Sequence, residues 1–281
     1  MLGCGDDAGI GTGSGGSSTG TSPPVTGSEG STTAVDDPMA TSSGGLDSTG
    51  TGPGLPPVDC SDFVGQATPE QVAMTPREDE EAEQLALEAS GEVVAPQDIY
   101  ARTVADLQTI RDDAPTLTKV HARPNWALDA LWVALTPSAL DALNMGTYQG
   151  WDCPNALYGV QSVDPEVLAD TSEIRYPGRF NPELIVADYE ALDTVLDASP
   201  VIGGGDGNDV CLAVDGDVHT YIFDQGRGDC PAGCTEHLYS GFTIDGRGSL
   251  DSLGTYEITD EDPLPPPPEW FTAAADCTMW L

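Results

Sequence analysis

Apolar residues are sparse over the first sixty positions and then return in two rhythms. Across 96–113 (PQDIYARTVADLQTIRDD), Ile99, Thr103, Leu107 and Ile110 recur three to four residues apart, with Tyr100 and Val104 beside them. That spacing predicts an amphipathic helix packed on a core, with Pro96 in its first turn and Pro115 stopping it. A shorter helix is expected between Pro76 and Gly91, where the acidic run Glu78-Asp79-Glu80-Glu81-Ala82-Glu83 leads into Gln84, Leu85, Ala86, Leu87 and Glu88. Its charges read as a solvated face. Further on, 130–135 (ALWVAL) reads as a buried strand, and 137–143 as a helix with Thr136 as its N-cap. Then come 156–163 as a strand or short helix, 173–176 as a strand, 183–192 as a helix opened by Asn181-Pro182, and 195–201 as a strand ending at Gly203. Strand–helix–strand–strand–helix–strand is the ferredoxin-like split βαβ order.

From 206 onward the period drops to two. The runs 210–214 and 218–223 flank Asp215-Gly216-Asp217, and 238–244 and 249–258 flank Asp245-Gly246-Arg247-Gly248. Asp-Gly between β-rich runs is a hairpin signal, so two consecutive hairpins are expected, extending the upstream sheet. The fold class is therefore α+β: a ferredoxin-like core extended by antiparallel hairpins and preceded by a helix and a disordered tether. The expected divisions are a tether at 1–60, an acidic linker with a short helix at 61–95, and one disulfide-stapled domain at 96–281. The helix ending in Tyr189-Glu190-Ala191-Leu192, with a strand starting near Val195, resembles the propeptide and inhibitor modules of serine proteases. That resemblance implies the same split βαβ fold.

Charge narrows the partners. The net charge is -38, and the tether contributes 7 acidic residues with no basic one, leaving 40 acidic against 9 basic over 61–281. A surface this negative repels phosphate backbones, which excludes nucleic acid as a partner. Residues 5–59 are almost wholly Gly, Ser, Thr, Pro and a few Asp, a composition that cannot bury enough apolar surface to offset its ordering entropy. As a flexible coil it spans about 40 Å. Met1-Leu2-Gly3-Cys4 in front of it resembles the end of a bacterial lipobox, and the tract resembles the spacer of surface lipoproteins. The resemblance implies acylation of Cys4, membrane attachment through that acyl anchor, and a place at the outer membrane or cell surface. No basic and apolar leader precedes Cys4, which on this reading places the natural start upstream of Met1.

With Cys4 set aside, Cys60, Cys153, Cys211, Cys230, Cys234 and Cys277 remain, an even set suited to three disulfides in an oxidising compartment. Fifteen pairings are open; Cys230 with Cys234, or one of these with Cys211, would staple the loop they border, and Cys277 with Cys60 would tie down the tail. Cys230, Cys234 and His237 also form a soft set for copper or zinc, or for redox chemistry. Asp206, Asn208, Asp209, Asp215 and Asp217 offer oxygen ligands to calcium, though the EF-hand spacing fails. The Gly-x-Ser-x-Gly and Gly-x-Gly-x-x-Gly matches inside the tether lack a flanking strand and helix, so they carry no chemistry. His121, His219 and His237 are far apart in sequence and form no metalloprotease motif. The expectation is a lipid-anchored, exported module, without a required cofactor, that binds or scaffolds an envelope protein or glycan. A copper, zinc or redox protein and a protease-inhibitor-like module are its alternatives.

Overall fold

The computed structural model describes residues 57–168, 170–203, 207–228, 230, 234–259 and 266–273. These form an α+β fold with two four-stranded antiparallel sheets. The first contains β1 (Trp126–Leu135), β2 (Ser162–Leu168), β3 (Thr171–Arg175) and β4 (Val195–Ile202), in the order β2-β3-β1-β4. β1 pairs with β3 from Ala130↔Arg175 to Ala134↔Thr171, and with β4 through Val133↔Ala198 and its neighbours. Three helices between the strands, α4 (Pro137–Asn144), α5 (Asp152–Tyr158) and α6 (Pro182–Glu190), accompany this sheet. Leu131, Val133, Leu135, Ile174, Ile185 and Tyr189 share its core. The stretch 156–163 is divided between helix and strand, because Gly159 takes a left-handed φ of 67° that ends α5 before β2 begins.

The second sheet runs β5 (Asp209–Asp215), β6 (Val218–Arg227), β7 (Glu236–Ile244) and β8 (Leu250–Ile258) in simple succession. Its turns follow the expected chemistry: Asp245 Oδ1 accepts from the amides of Arg247 and Ser249, both at 2.9 Å. The hairpins do not extend the first sheet, as the sequence suggested, but form a sheet of their own. The reason is cover. Val210, Leu212, Tyr221, Phe223, Phe242 and Ile244 on one face are buried against α2 (Glu80–Ser90) and α3 (Gln97–Asp113), two helices that follow the short α1 (Pro69–Val72) and precede the first sheet in the chain. The opposite face packs Ile222, Tyr239 and Tyr256 with Phe271 of α7 (Glu269–Ala273). Gly241 makes that approach close, since a Cβ there would meet the Trp270 ring at 2.8 Å.

α2 lies between the two layers. Ala82 and Leu85 belong to the second sheet's core, while Ala86 and Leu87 pack with Leu128 of β1 and with Ala95. Hence all six residues from Ala82 to Leu87 are buried. The acidic run is accordingly a solvated face only in part: Glu78 is exposed and the side chain of Glu80 is 74% exposed, but that of Glu81 is 14% and that of Glu83 0%. α2 starts at Asp79, whose carboxylate accepts from the Ala82 amide, and ends at Gly91 with φ 61°. Cys60 bonds Cys153 at the start of α5, so the suggested pairing of Cys60 with Cys277 is replaced. Cys211 is also disulfide-bonded. Cys4 and Cys277 lie outside the described residues.

Candidate functional site

Among the described residues, two places with gathered polar side chains bear on function. The first is the end of the β6–β7 pair. Cys230 and Cys234 are joined in a disulfide, so the two thiolates on which the copper or zinc reading rests are held in a bridge. His237 Nδ1 lies 2.9 and 3.0 Å from the two oxygens of Asp224, and its ring stacks on Tyr239. The calcium set is also divided. β5 separates Asn208 and Asp209 from Asp215 and Asp217 by about 20 Å, at roughly 3.4 Å per residue. Asp209 Oδ1 is taken up by the amides of Arg123 and Val210, both at 2.7 Å, and Asp206 lies outside the described residues. Among the described residues no three His, Cys, Asp or Glu side chains converge as a metal site.

The second place is a cleft of about 360 Å3 between α2, β1 and the β3–α6 connection, bordered by Glu80, Gln84, Asp129, Gln161 and Arg179 and walled by Pro76, Pro124 and Pro177. Arg179, on its border, belongs to an ion network that builds from Glu83. This buried carboxylate accepts from Arg179 at 2.8 Å, from the Arg77 amide at 3.0 Å and from the Thr75 hydroxyl at 3.1 Å. Arg77 in turn donates to the Ala95 carbonyl and to Gln97, with its guanidinium over the Tyr100 ring. Thr75 locks the two chain segments together, accepting from the Arg179 amide at 2.8 Å and facing the Arg179 carbonyl at 3.1 Å. Gly178 permits this approach, because a Cβ there would stand 2.7 Å from Thr75 Cγ2. Arg179 also reaches the rim, 3.0 Å from Glu80. The cleft thus presents a guanidinium held by Glu83, two border carboxylates (Glu80 beside Arg179, and Asp129 paired with Arg175 at 3.7 Å) and the side-chain amide of Gln161.

Of the charged residues here, the sequence pointed only to Glu80 and Glu83, within the acidic run. The available signal was the rarity of cations: 9 Lys and Arg against 47 Asp and Glu make each arginine a marker for a carboxylate that cannot be left alone. A third constellation has catalytic composition but no access. His219 Nδ1 is 3.0 Å from Asp106 Oδ2, Tyr221 donates to the same oxygen at 3.1 Å, and Arg102 stands at 3.4 Å. Burial, and then the Asp106 charge, push the Tyr221 phenol far above its ordinary range. His219 and Tyr221 are 2% and 0% exposed under α3, so the set fastens helix to sheet rather than meeting a substrate. Compared with protein-family models, curated proteins and solved structures, the chain matches none.

Proposed function

We propose that the chain is an exported binding module of the bacterial cell envelope, tethered through an acyl group on Cys4, whose cleft takes a lysine- or arginine-bearing segment of an envelope protein. The cleft carries this reading. Glu80 and Asp129 stand on its border, each beside one arginine, Arg179 at 3.0 Å and Arg175 at 3.7 Å, within a chain of net charge -38. Such a border attracts cationic groups and repels phosphates and anionic lipid. Gln161 offers a carbonyl and an amide to a peptide backbone. Proline walls and the locked Arg179 limit the ordering cost of binding. The disulfides Cys60–Cys153 and Cys230–Cys234 support an oxidising compartment. For the first layer, the order β2-β3-β1-β4 with antiparallel neighbours supports a ferredoxin-like assignment.

Calorimetric titration of the full chain tests the cleft, using a basic peptide, an acidic peptide of equal length and a neutral oligosaccharide. Saturable binding of the basic peptide, weakened several-fold in Glu80→Gln/Asp129→Asn, is the expected result. The variant matters because a chain of this charge attracts any basic peptide weakly, and removing two charges barely changes that background. Equal affinity in the variant, or saturation by the oligosaccharide instead, refutes the reading. A diacylglyceryl mass on Cys4, abolished in Cys4→Ser, tests the anchor.

A further inference from the structure

The Cys230–Cys234 bridge closes a separation of 4 residues, where Cys60–Cys153 closes 93. The constraint a disulfide places on the unfolded chain grows with the loop it closes, so the short bridge is the weaker staple. Yet the sheet is shaped around it. Gly226 stands directly opposite His237 in the β6–β7 ladder, and Asp224 lies two residues before Gly226 on β6. Directly opposed residues and alternate residues along a strand project to the same face, so Asp224, His237 and the missing side chain of Gly226 share one side. That missing side chain is replaced by sulfur: a Cβ on Gly226 would be 2.3 Å from Cys234 Sγ. Cys234 therefore sits in the space only glycine leaves, on the face that carries His237. The Thr235 amide, donating to the Arg227 carbonyl at 3.0 Å, holds the loop at that point.

His237 is prepared for proton transfer. Its Nδ1 faces both Asp224 oxygens, which places a proton on Nδ1 and leaves Nε2 as the basic nitrogen. Tyr239, stacked at an interplanar angle of 14°, fixes the ring. An imidazole held by a carboxylate beside a cysteine sulfur is the environment that stabilises a thiolate.

We propose that Cys230–Cys234 is a redox-active disulfide that oxidises dithiols, with His237 stabilising and protonating the Cys234 thiolate and Asp224 acting as its positioning residue. One thiol of the dithiol gives its proton to His237 Nε2 and, as a thiolate, attacks Cys230 Sγ. The new S–S bond forms as the Cys230–Cys234 bond breaks, and Cys234 leaves as a thiolate that takes this proton from the His237 imidazolium. The dithiol's second sulfur, losing its proton to the again neutral His237, then attacks the sulfur bound to Cys230. The dithiol departs as a disulfide, and Cys230 leaves as a thiolate that takes that second proton back from His237. Two electrons and two protons have moved from the dithiol to Cys230 and Cys234. This activity is independent of the cleft.

Dithiothreitol titration of the native full chain, with acid quenching, alkylation and peptide mass analysis, tests it. Cys230 and Cys234 should take the label at concentrations at least about ten-fold below those that open Cys60–Cys153, with the near-ultraviolet circular dichroism retained. In the reduced protein the alkylation rate of Cys234 should have its midpoint below the free-thiol value of about 8.5, and His237→Gln and Asp224→Asn should raise it by about one unit. Bridges that open together, only as the dichroism is lost, overturn the proposal. So does a Cys234 midpoint that is the same in His237→Gln and in the unaltered chain.

Discussion

Replacing Glu88 by Gln should stabilise the protein in mildly alkaline solution and leave it unchanged in acid. Glu88 is half-buried on the last turn of α2, where its Oε1 accepts from Gln84 Nε2 at 3.2 Å. Burial, reinforced by the negative charge of Asp209 and only partly offset by Gln84, raises its pKa from 4.5 to about 7. Between those values the folded chain holds a proton that the unfolded chain has released. Stability therefore falls as pH rises from 4.5 to 7, and the penalty is complete above 7. A shift of that size corresponds to at most about 3 kcal/mol, and screening at a partly exposed site leaves about 1–2 kcal/mol. The glutamine amide can still accept from Gln84 and has no charge to desolvate. Urea unfolding of both proteins at pH 4.5, 6 and 8 measures the difference. The variant should match the unaltered chain at pH 4.5 and exceed it by about 1–2 kcal/mol at pH 8. A difference that stays flat with pH, or a variant weaker at pH 8, would show that Glu88 is ionised at little cost and refute the reasoning.

The two described bridges should differ sharply in what they contribute. On chain entropy alone, Cys60→Ser/Cys153→Ser should lose about 4.6 kcal/mol and Cys230→Ser/Cys234→Ser about 2 kcal/mol or less, measured by guanidinium unfolding; equal losses would contradict the assignment of the short bridge to chemistry rather than stability. Removing the buried carboxylate that holds Arg179, Glu83→Ala, leaves Arg77 without its ionic partner and Arg179 with only the exposed Glu80, and should cost about 3–5 kcal/mol, with Glu83→Gln less damaging. A loss under about 1 kcal/mol in urea would mean that water already screens the network.

What the sequence disclosed was local. α3 follows its apolar stripe, α6 begins at Asn181-Pro182, and the hairpin turns lie where Asp-Gly pairs fall. These depend on caps, proline and turn residues within a few positions. What it concealed depends on distance along the chain. Glu83 meets Arg179 across 96 residues, and no periodicity in 78–83 marks which carboxylates turn inward. The separation of the second sheet from the first follows from its cover by α2 and α3, which lie upstream of both sheets. Cysteine spacing could not choose among fifteen pairings, and the Asp224–His237–Cys234 grouping needs the β6–β7 register, which fixes the shared face.

The charge imbalance itself explains where the cations went. A chain of net charge -38 is under self-repulsion, so a carboxylate forced inward is costly unless a guanidinium accompanies it. Arg77 and Arg179 accompany Glu83, Arg102 accompanies Asp106, and Arg111 accompanies Glu81. Glu81 and Glu88 make the comparison within one helix, two turns apart. Burial raises both, but at Glu81 the hydrogen bonds from Arg111, the Ala122 amide and His121 outweigh it and hold the carboxyl below its ordinary range. Glu88 has only an amide for a partner and stays high. The same helix thus carries an inward carboxylate that is neutralised by a cation and one that is neutralised by a proton. Only the second should make stability depend on pH near neutrality, which is why Glu88 rather than the more crowded Glu81 is the residue to change.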